Sequence, residues 1–263
     1  MKKLKSKILL SFFCATFLNG YEIENPTLGN IAIEAGVWKT KMDGNIQNPS
    51  ALINFKDDLG FDESKNVTSF GLDLKNEYSW LPNIYVNYFT LNSDSHGNIA
   101  TPGQKIYGNN TYMGDVISTI EYSELNTILY GYLQQSIFEF DLGVNLKKIN
   151  YTQTLKEDTG DVSTGMPITI IGPESIIPLP YIGLKIDLYP INTVLKAETS
   201  MLALGDDEAK DYTYSINYRI MKNMYISYGY RYTSWKTKNK DETINDKYDM
   251  NLKGNYINAK ILF

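Results

Sequence analysis

Residues Ile137–Lys147 read IFEFDLGVNLK and alternate almost without a slip. Phe138, Phe140, Leu142, Val144 and Leu146 share one parity, and Glu139, Asp141, Gly143, Asn145 and Lys147 the other. Period two over this length means a strand with one apolar and one polar face. Two environments fit it. In a soluble sheet the apolar face meets a protein core and the charges meet water. In an outer-membrane barrel it meets lipid, and the charges meet the lumen. The stretch alone does not choose.

The same alternation recurs along the chain. Phe70, Leu72 and Leu74 oppose Gly71, Asp73 and Lys75; Ile182, Leu184, Ile186 and Leu188 oppose Gly183, Lys185 and Asp187. Tyr212, Tyr214, Ile216 and Tyr218 oppose Thr213, Ser215, Asn217 and Arg219; Ile226, Tyr228 and Tyr230 oppose Ser227, Gly229 and Arg231. About ten segments follow: 30–41, 66–78, 84–95, 113–132, 137–154, 177–189, 193–204, 211–221, 224–236 and 251–263. Short connections (79–83, 133–136, 190–192, 222–223) alternate with long polar ones (42–65, 96–112, 155–176, 205–210, 237–250). Short turns at one end and long loops at the other describe an up-and-down transmembrane barrel with its turns in the periplasm. The expected fold is therefore an all-β antiparallel barrel of about ten strands, eight or twelve if 113–154 divides differently. The 21 tyrosines, many on the apolar parity, predict an aromatic girdle whose hydroxyls reach head groups.

The ends support export. Residues 1–20, MKKLKSKILLSFFCATFLNG, carry Lys2, Lys3, Lys5 and Lys7, an apolar run from Ile8 to Leu18, then polar residues. This predicts a cleaved signal peptide and a barrel domain over 21–263. Cys14, the sole cysteine, would leave with it, which excludes disulfides, thiolate metal sites and cysteine nucleophiles from the mature chain. Loss of the four lysines leaves 21 basic against 30 acidic side chains, a formal charge of −9 that argues against nucleic acid as a partner. No apolar run is long enough for a spanning helix. The terminal NYINAKILF alternates and stops on Phe263, which marks it as a signal for the barrel-assembly machinery.

At SWLPNIYVNY (79–88), ELNTILYGYL (124–133), FDLGVNLK (140–147), LPYIGLKIDLYP (179–190), SYGYRY (227–232) and Phe263, the sequence resembles a family of small Gram-negative outer-membrane barrels of undetermined activity that carries a "GlyGly" label, and more distantly the OmpW-like barrels. The resemblance covers nearly the whole mature chain and departs at Tyr85 and Asn87. It implies the barrel fold and an outer-membrane location, and supplies no reaction.

On the lumen parity lie Glu34, Asp73, Glu124, Glu139, Asp141, Asp187 and Glu198, against Lys75, Lys147, Lys185, Lys196, Arg219, Arg231 and Lys260. Near-balance of sign predicts cross-strand ion pairs filling a narrow interior. The functional expectation is passive transport or binding of small molecules, with Arg219 and Arg231 placed to select anionic groups. His96, the only histidine, sits in NSDSHGN, which reads as a solvated loop; a lipid-modifying or proteolytic enzyme built on it is the alternative. Loops 42–65 and 96–112 offer an adhesive surface. The acidic runs 57–63, 205–211 and 239–249 lack EF-hand spacing, and 48–61 mixes apolar residues into a loop that caps or lines an entrance. No catalytic set, metal site or cofactor is expected. The partners are outer-membrane lipid, lipopolysaccharide and the assembly machinery, with the chain a monomer.

Overall fold

The structure is a computed structural model that describes residues 31–47, 52–76, 78, 81–99, 105–107, 110–158, 168–171, 176–204, 207–238 and 247–263. The expected signal peptide, with Cys14, lies outside the described residues, as do 48–51 of the apolar loop and 239–246 of the third acidic run. Fourteen strands are described: β1 (Ile31–Gln47), β2 (Leu52–Asn54), β3 (Lys65–Leu74), β4 (Asn83–Ile99), β5 (Lys105–Tyr107), β6 (Asn110–Tyr112), β7 (Gly114–Gln135), β8 (Phe138–Glu157), β9 (Ile168–Ile171), β10 (Ile176–Leu188), β11 (Thr193–Leu204), β12 (Asp207–Met221), β13 (Met224–Lys238) and β14 (Lys247–Leu262).

Ten of these close a ring in chain order, each antiparallel to the next: β1, β3, β4, β7, β8, β10, β11, β12, β13 and β14. Closure runs from Ala32↔Leu262 to Gln47↔Lys247, and the Phe263 N–H donates to Ile31 O at 2.8 Å. A closed ring leaves no sheet edge at membrane depth, the condition for crossing hydrocarbon with strands. An even count puts both described ends beside the short turns. At 189–191 a 3-10 turn is ended by Asn192 at φ 51°, a left-handed conformation that asparagine tolerates.

The answer to the question posed by 137–147 changes along each strand. On β8 the outward side chains Phe138, Phe140, Leu142, Val144 and Leu146 are apolar, while Glu139, Asp141, Asn145 and Lys147 point inward. Above Leu146 the assignment reverses. Lys148, Asn150, Thr152 and Thr154 point out, and Ile149, Tyr151 and Leu155 are buried inside. β1 reverses between Val37 and Trp38, β4 between Tyr88 and Phe89, and β14 between Leu252 and Ile257. Nine residues from 138 to 146, inclined as barrel strands are, rise about 20–25 Å, the height of a hydrophobic belt. Below the reversal lipid wets the outside. Above it water does, and the wall behaves as a soluble barrel with an apolar inside.

Much of that inside is filled. Trp38, Phe89, Ile120, Tyr122, Ile149, Tyr151 and Trp235 are at most 2% exposed. Trp38 meets Phe89 edge-on at 5.2 Å between centroids, Tyr151 meets Trp235 at 5.4 Å, and Trp38 Nε1 donates to Gly254 O at 3.1 Å. The chain from β2 to β3 completes the filling. β2 pairs with β1 above β3, and Phe55, Leu59 and Phe61 then turn inward, all buried. The turn is tied by Asp58 N–H to Asn54 O (3.1 Å), Phe61 N–H to Phe55 O (2.9 Å) and Asn54 N–H to the Asp58 carboxylate (2.6 Å). It occupies a seam in the wall, because β3 pairs with β4 only from Ser69↔Phe89 to Leu74↔Ile84. Gly60, at φ +75°, lies so close that a Cβ there would stand 2.0 Å from the His96 carbonyl oxygen.

Several expectations are corrected. His96 is not in a loop but on β4, its side chain outward and 75% exposed. The run 205–211 is mostly strand, since β12 begins at Asp207 and only 205–206 separate it from β11. The loop 42–65 contains strand at 42–47 and 52–54, and 57–63 holds buried Leu59 and Phe61 rather than a solvated acidic stretch. Tyrosines do not all serve a girdle: Tyr122, Tyr130, Tyr151 and Tyr181 are buried in the lumen, where charged and amide neighbours accept their hydroxyl protons.

Candidate functional site

Pleat parity and closure aim the polar faces of ten strands at one axis, so residues far apart in sequence meet in layers. Nearest the turn end is a cavity of about 220 Å³. Its lining holds six carboxylates, Glu34, Asp73, Glu139, Asp141, Asp187 and Glu198, and five cations, Lys75, Lys185, Lys196, Arg219 and Lys260. Most are paired. Lys260 Nζ lies 3.0 Å from Asp73 Oδ2, Lys196 Nζ 2.9 Å from Glu198 Oε2, and Arg219 3.5 Å from Asp187. Lys185 contacts Glu139 and lies 3.0 Å from Asp141 Oδ2. Phenols supply the remaining partners: Tyr85 donates to Glu34, Tyr130 to Asp73 at 2.9 Å and Tyr181 to Glu198 at 2.5 Å. Lys75 stands over the Tyr132 ring at 5.3 Å. Asp141 is 1% exposed; its Oδ2 is held by Lys185, and its Oδ1 accepts no hydrogen bond. The chamber reaches the turn end, where the Asp187 side chain is 43% exposed.

Above it comes an uncharged layer. Asn145 Nδ2 donates to Asn126 Oδ1 at 3.0 Å and Asn126 Nδ2 to Glu124 Oε1 at 2.6 Å. Then, at the height of the reversal, four charges close the bore. Lys147 Nζ lies 2.9 Å from Glu124 Oε1 and 3.1 Å from Asp211 Oδ2; Arg231 Nη2 lies 2.8 and 3.1 Å from the same two acids. Thr233 takes a hydrogen bond from Lys147 at 2.6 Å, and Tyr122 donates to Glu124 at 2.6 Å. The guanidinium of Arg231 covers the Phe89 ring at 4.8 Å and the Trp38 ring at 5.4 Å. Glu124 and Lys147 have fully buried side chains. Two positive and two negative charges, desolvated together under an aromatic roof, form a balanced seal across the bore.

The fourteen lumen charges read from the sequence thus fall into two groups. Glu124, Lys147 and Arg231 belong to the seal; Glu34, Asp73, Lys75, Glu139, Asp141, Lys185, Asp187, Lys196, Glu198, Arg219 and Lys260 line the chamber. Arg219 and Arg231 are not brought together, since one pairs with Asp187 near the turns and the other with Glu124 at the seal. Asp211, the first residue of the expected strand 211–221, was grouped with the acidic run 205–211 instead of the lumen charges, although its parity with Thr213 and Ser215 marks it as inward.

His96 lines an outer cavity with Asp62, Glu63, Asp94 and Ser95. Its neighbour Ser95 points into the wall's interior while His96 points out, and the carboxylate beside it is Asp158, 3.9 Å from Nδ1. A hydroxyl and an imidazole on opposite faces cannot share a proton. Among the described residues no group of three acids, histidines or cysteines is arranged to hold a metal.

No protein family model matches the chain, and no curated protein sequence does. Among solved structures it is similar to the outer membrane protease OmpT from Escherichia coli, with a TM-score of 0.56 and 9% identity over 92% of this chain and 99% of that one. The translocator domain of autotransporter NalP from Neisseria meningitidis (TM-score 0.42, 9% identity, 100% and 98% of the two chains) and Neisserial surface protein A (0.34, 10%, 89% and 97%) align less well. At such identities the likeness concerns the fold alone. The closed ten-strand ring and its exposed apolar belt, together with that likeness, give the chain the fold of an outer-membrane β-barrel.

Proposed function

We propose that this barrel binds a small polar solute carrying charges of both signs in the chamber at its periplasmic end, and that it is not a standing diffusion pore. One observation carries the reading: a charged cavity of about 220 Å³ lies below a bore blocked by the buried Glu124–Lys147–Arg231–Asp211 seal and the apolar filling above it. The volume is below the 300–1,000 Å³ usual for larger ligands, so the occupant is small. Asp141 Oδ1, which accepts no hydrogen bond, calls for a cationic or N–H group, and the nearby lysines for a carboxylate.

The test has two arms. In planar bilayers the protein should show no steady conductance. In detergent, free amino acids or dipeptides should raise its melting temperature more than monovalent salts of equal ionic strength, and Lys196→Gln should abolish that shift. Steady ohmic conductance would establish the pore reading instead; no shift with any zwitterion would leave the chamber a purely structural charge network. The reading also includes a monomer, a leader peptide over 1–20, recognition of the last strand by the assembly machinery, and kinship with the small Gram-negative barrels that the sequence resembles.

A further inference from the structure

One sector of the outer wall, immediately above the belt, carries lysines that face one another. On β1 the outward side chains Ile33, Ala35 and Val37 are followed by Lys39 and Lys41; on β14, Ile257 gives way to Asn255 and Lys253. Lys41 and Lys253 are direct cross-strand partners on the same face. Side chains so placed have Cβ atoms about 4.5–5.5 Å apart, and like charges there repel. Lys39, one outward position nearer the bilayer, is opposite Asn255 on one side and Asn66 on the other, so it receives no neutralising partner across the sheet. The acid in reach is Asp43, 3.7 Å from Lys253, with the two side chains 55% and 45% exposed, which offsets little. Among the described residues neither Lys39 nor Lys41 has an ion-pair partner. On the far side of the barrel the outward charges are mixed, with Asp94 on β4 and Glu121 on β7 beside Lys148 and Lys156 on β8.

We propose that Lys39, Lys41 and Lys253 dock the phosphorylated head group of an outer-leaflet glycolipid whose acyl chains lie along Val37, Ile257 and Tyr228. Three points select a lipid. The lysines stand one and two outward positions above the last apolar ring, roughly 5–10 Å along the barrel axis, where head groups reside. The wall below them is apolar and exposed, with Val37 49%, Ile257 59% and Tyr228 54% accessible, so the tails of the same molecule already touch protein. A phosphate monoester brings about 1.5 to 2 negative charges, enough to turn the Lys41–Lys253 repulsion into shared attraction. Aqueous anions reach the same lysines without the tail contact and are held less well.

The experiment compares purified full-length barrel with a Lys39→Gln, Lys41→Gln, Lys253→Gln triple variant. Binding of doubly phosphorylated lipid A and its dephosphorylated form is read by native mass spectrometry. Each lysine near a charged membrane surface contributes about a factor of five, so the triple variant should lose on the order of a hundredfold. A Lys148→Gln, Lys156→Gln control on β8 should bind as the parent does, and a tenfold excess of inorganic phosphate should not displace the lipid. The proposal is overturned if the triple variant stays within threefold of the parent, if the dephosphorylated lipid binds as tightly, or if inorganic phosphate competes. Should the triple variant lose the heat-shifted gel band of a folded barrel, Lys41→Gln alone is read, with about a fivefold loss expected. Raising salt on the unmodified protein must also weaken binding, and salt-independent binding refutes the docking.

Discussion

Replacing Lys147 by methionine tests the seal directly. The side chain keeps its length and loses its charge, leaving Glu124 and Asp211 to share Arg231 alone. Lys147 is fully buried, and its ammonium lies 2.9 and 3.1 Å from the two acids and 2.6 Å from Thr233 Oγ1, so no water replaces it. Breaking one member out of a buried, balanced set costs about 3–5 kcal/mol, because a carboxylate stays buried without its counter-charge. Adding Asp211→Asn restores the balance to one acid and one base, and should recover more than half of the loss. The assay is urea unfolding in lipid vesicles, followed by tryptophan fluorescence, to which Trp38, stacked on Arg231, and Trp235, deeper in the apolar filling, contribute. A cost below about 1 kcal/mol for the single variant, or no recovery in the double, would mean that this layer is wet and does not close the bore.

Three further outcomes are expected. Phe140→Arg, on the belt face of β8, should cost about 2–4 kcal/mol in the same unfolding assay, whereas Lys148→Glu on the same face above the reversal should stay within about 0.5 kcal/mol; equal effects would remove the assigned membrane level. Gly60→Val puts a β-branched side chain at φ +75° against the His96 carbonyl and should dislodge the 55–61 turn at a local cost of about 2–3 kcal/mol. The barrel should keep its heat-shifted gel mobility while proteases gain a cut within 52–64, and an unchanged digest would contradict the tight seam. Deleting Phe263, 67% exposed and held through its N–H to Ile31, should barely alter refolding in vitro yet lower the amount assembled in cells; equal assembly would end its role as a signal.

The ten strands and the closed antiparallel ring were readable because the belt imposes a strict period of two on every crossing, as at 137–147 and 182–188. The turns were readable for the same reason: Lys222–Asn223 and Pro190–Asn192 interrupt that period where the chain must reverse. What escaped was the change of phase. Adjacent apolar pairs at Val37–Trp38 and Tyr88–Phe89, and the switch from Met250 and Leu252 to Ile257 and Ile261, record a strand leaving the bilayer while its wall continues. Treating one parity as lipid-facing throughout turned upper strand segments into loops and hid the outward placement of His96. The pairing pattern in the lumen was not legible at all. It depends on which strands meet across the bore, as Lys147 on β8 meets Asp211 on β12, and period two carries no information about that.

The reversal of parity has a mechanical corollary. Sinking the barrel by one pair of residues would submerge Lys39, Lys148 and Asn255, and raising it equally would lift Val37, Leu146 and Ile257 into water. Each step is penalised from around the circumference at once, so the immersion depth is pinned and a bilayer of another thickness must thin or swell to meet the protein. The rim above is thereby carried at a fixed altitude over the cell surface, whatever lipid surrounds it.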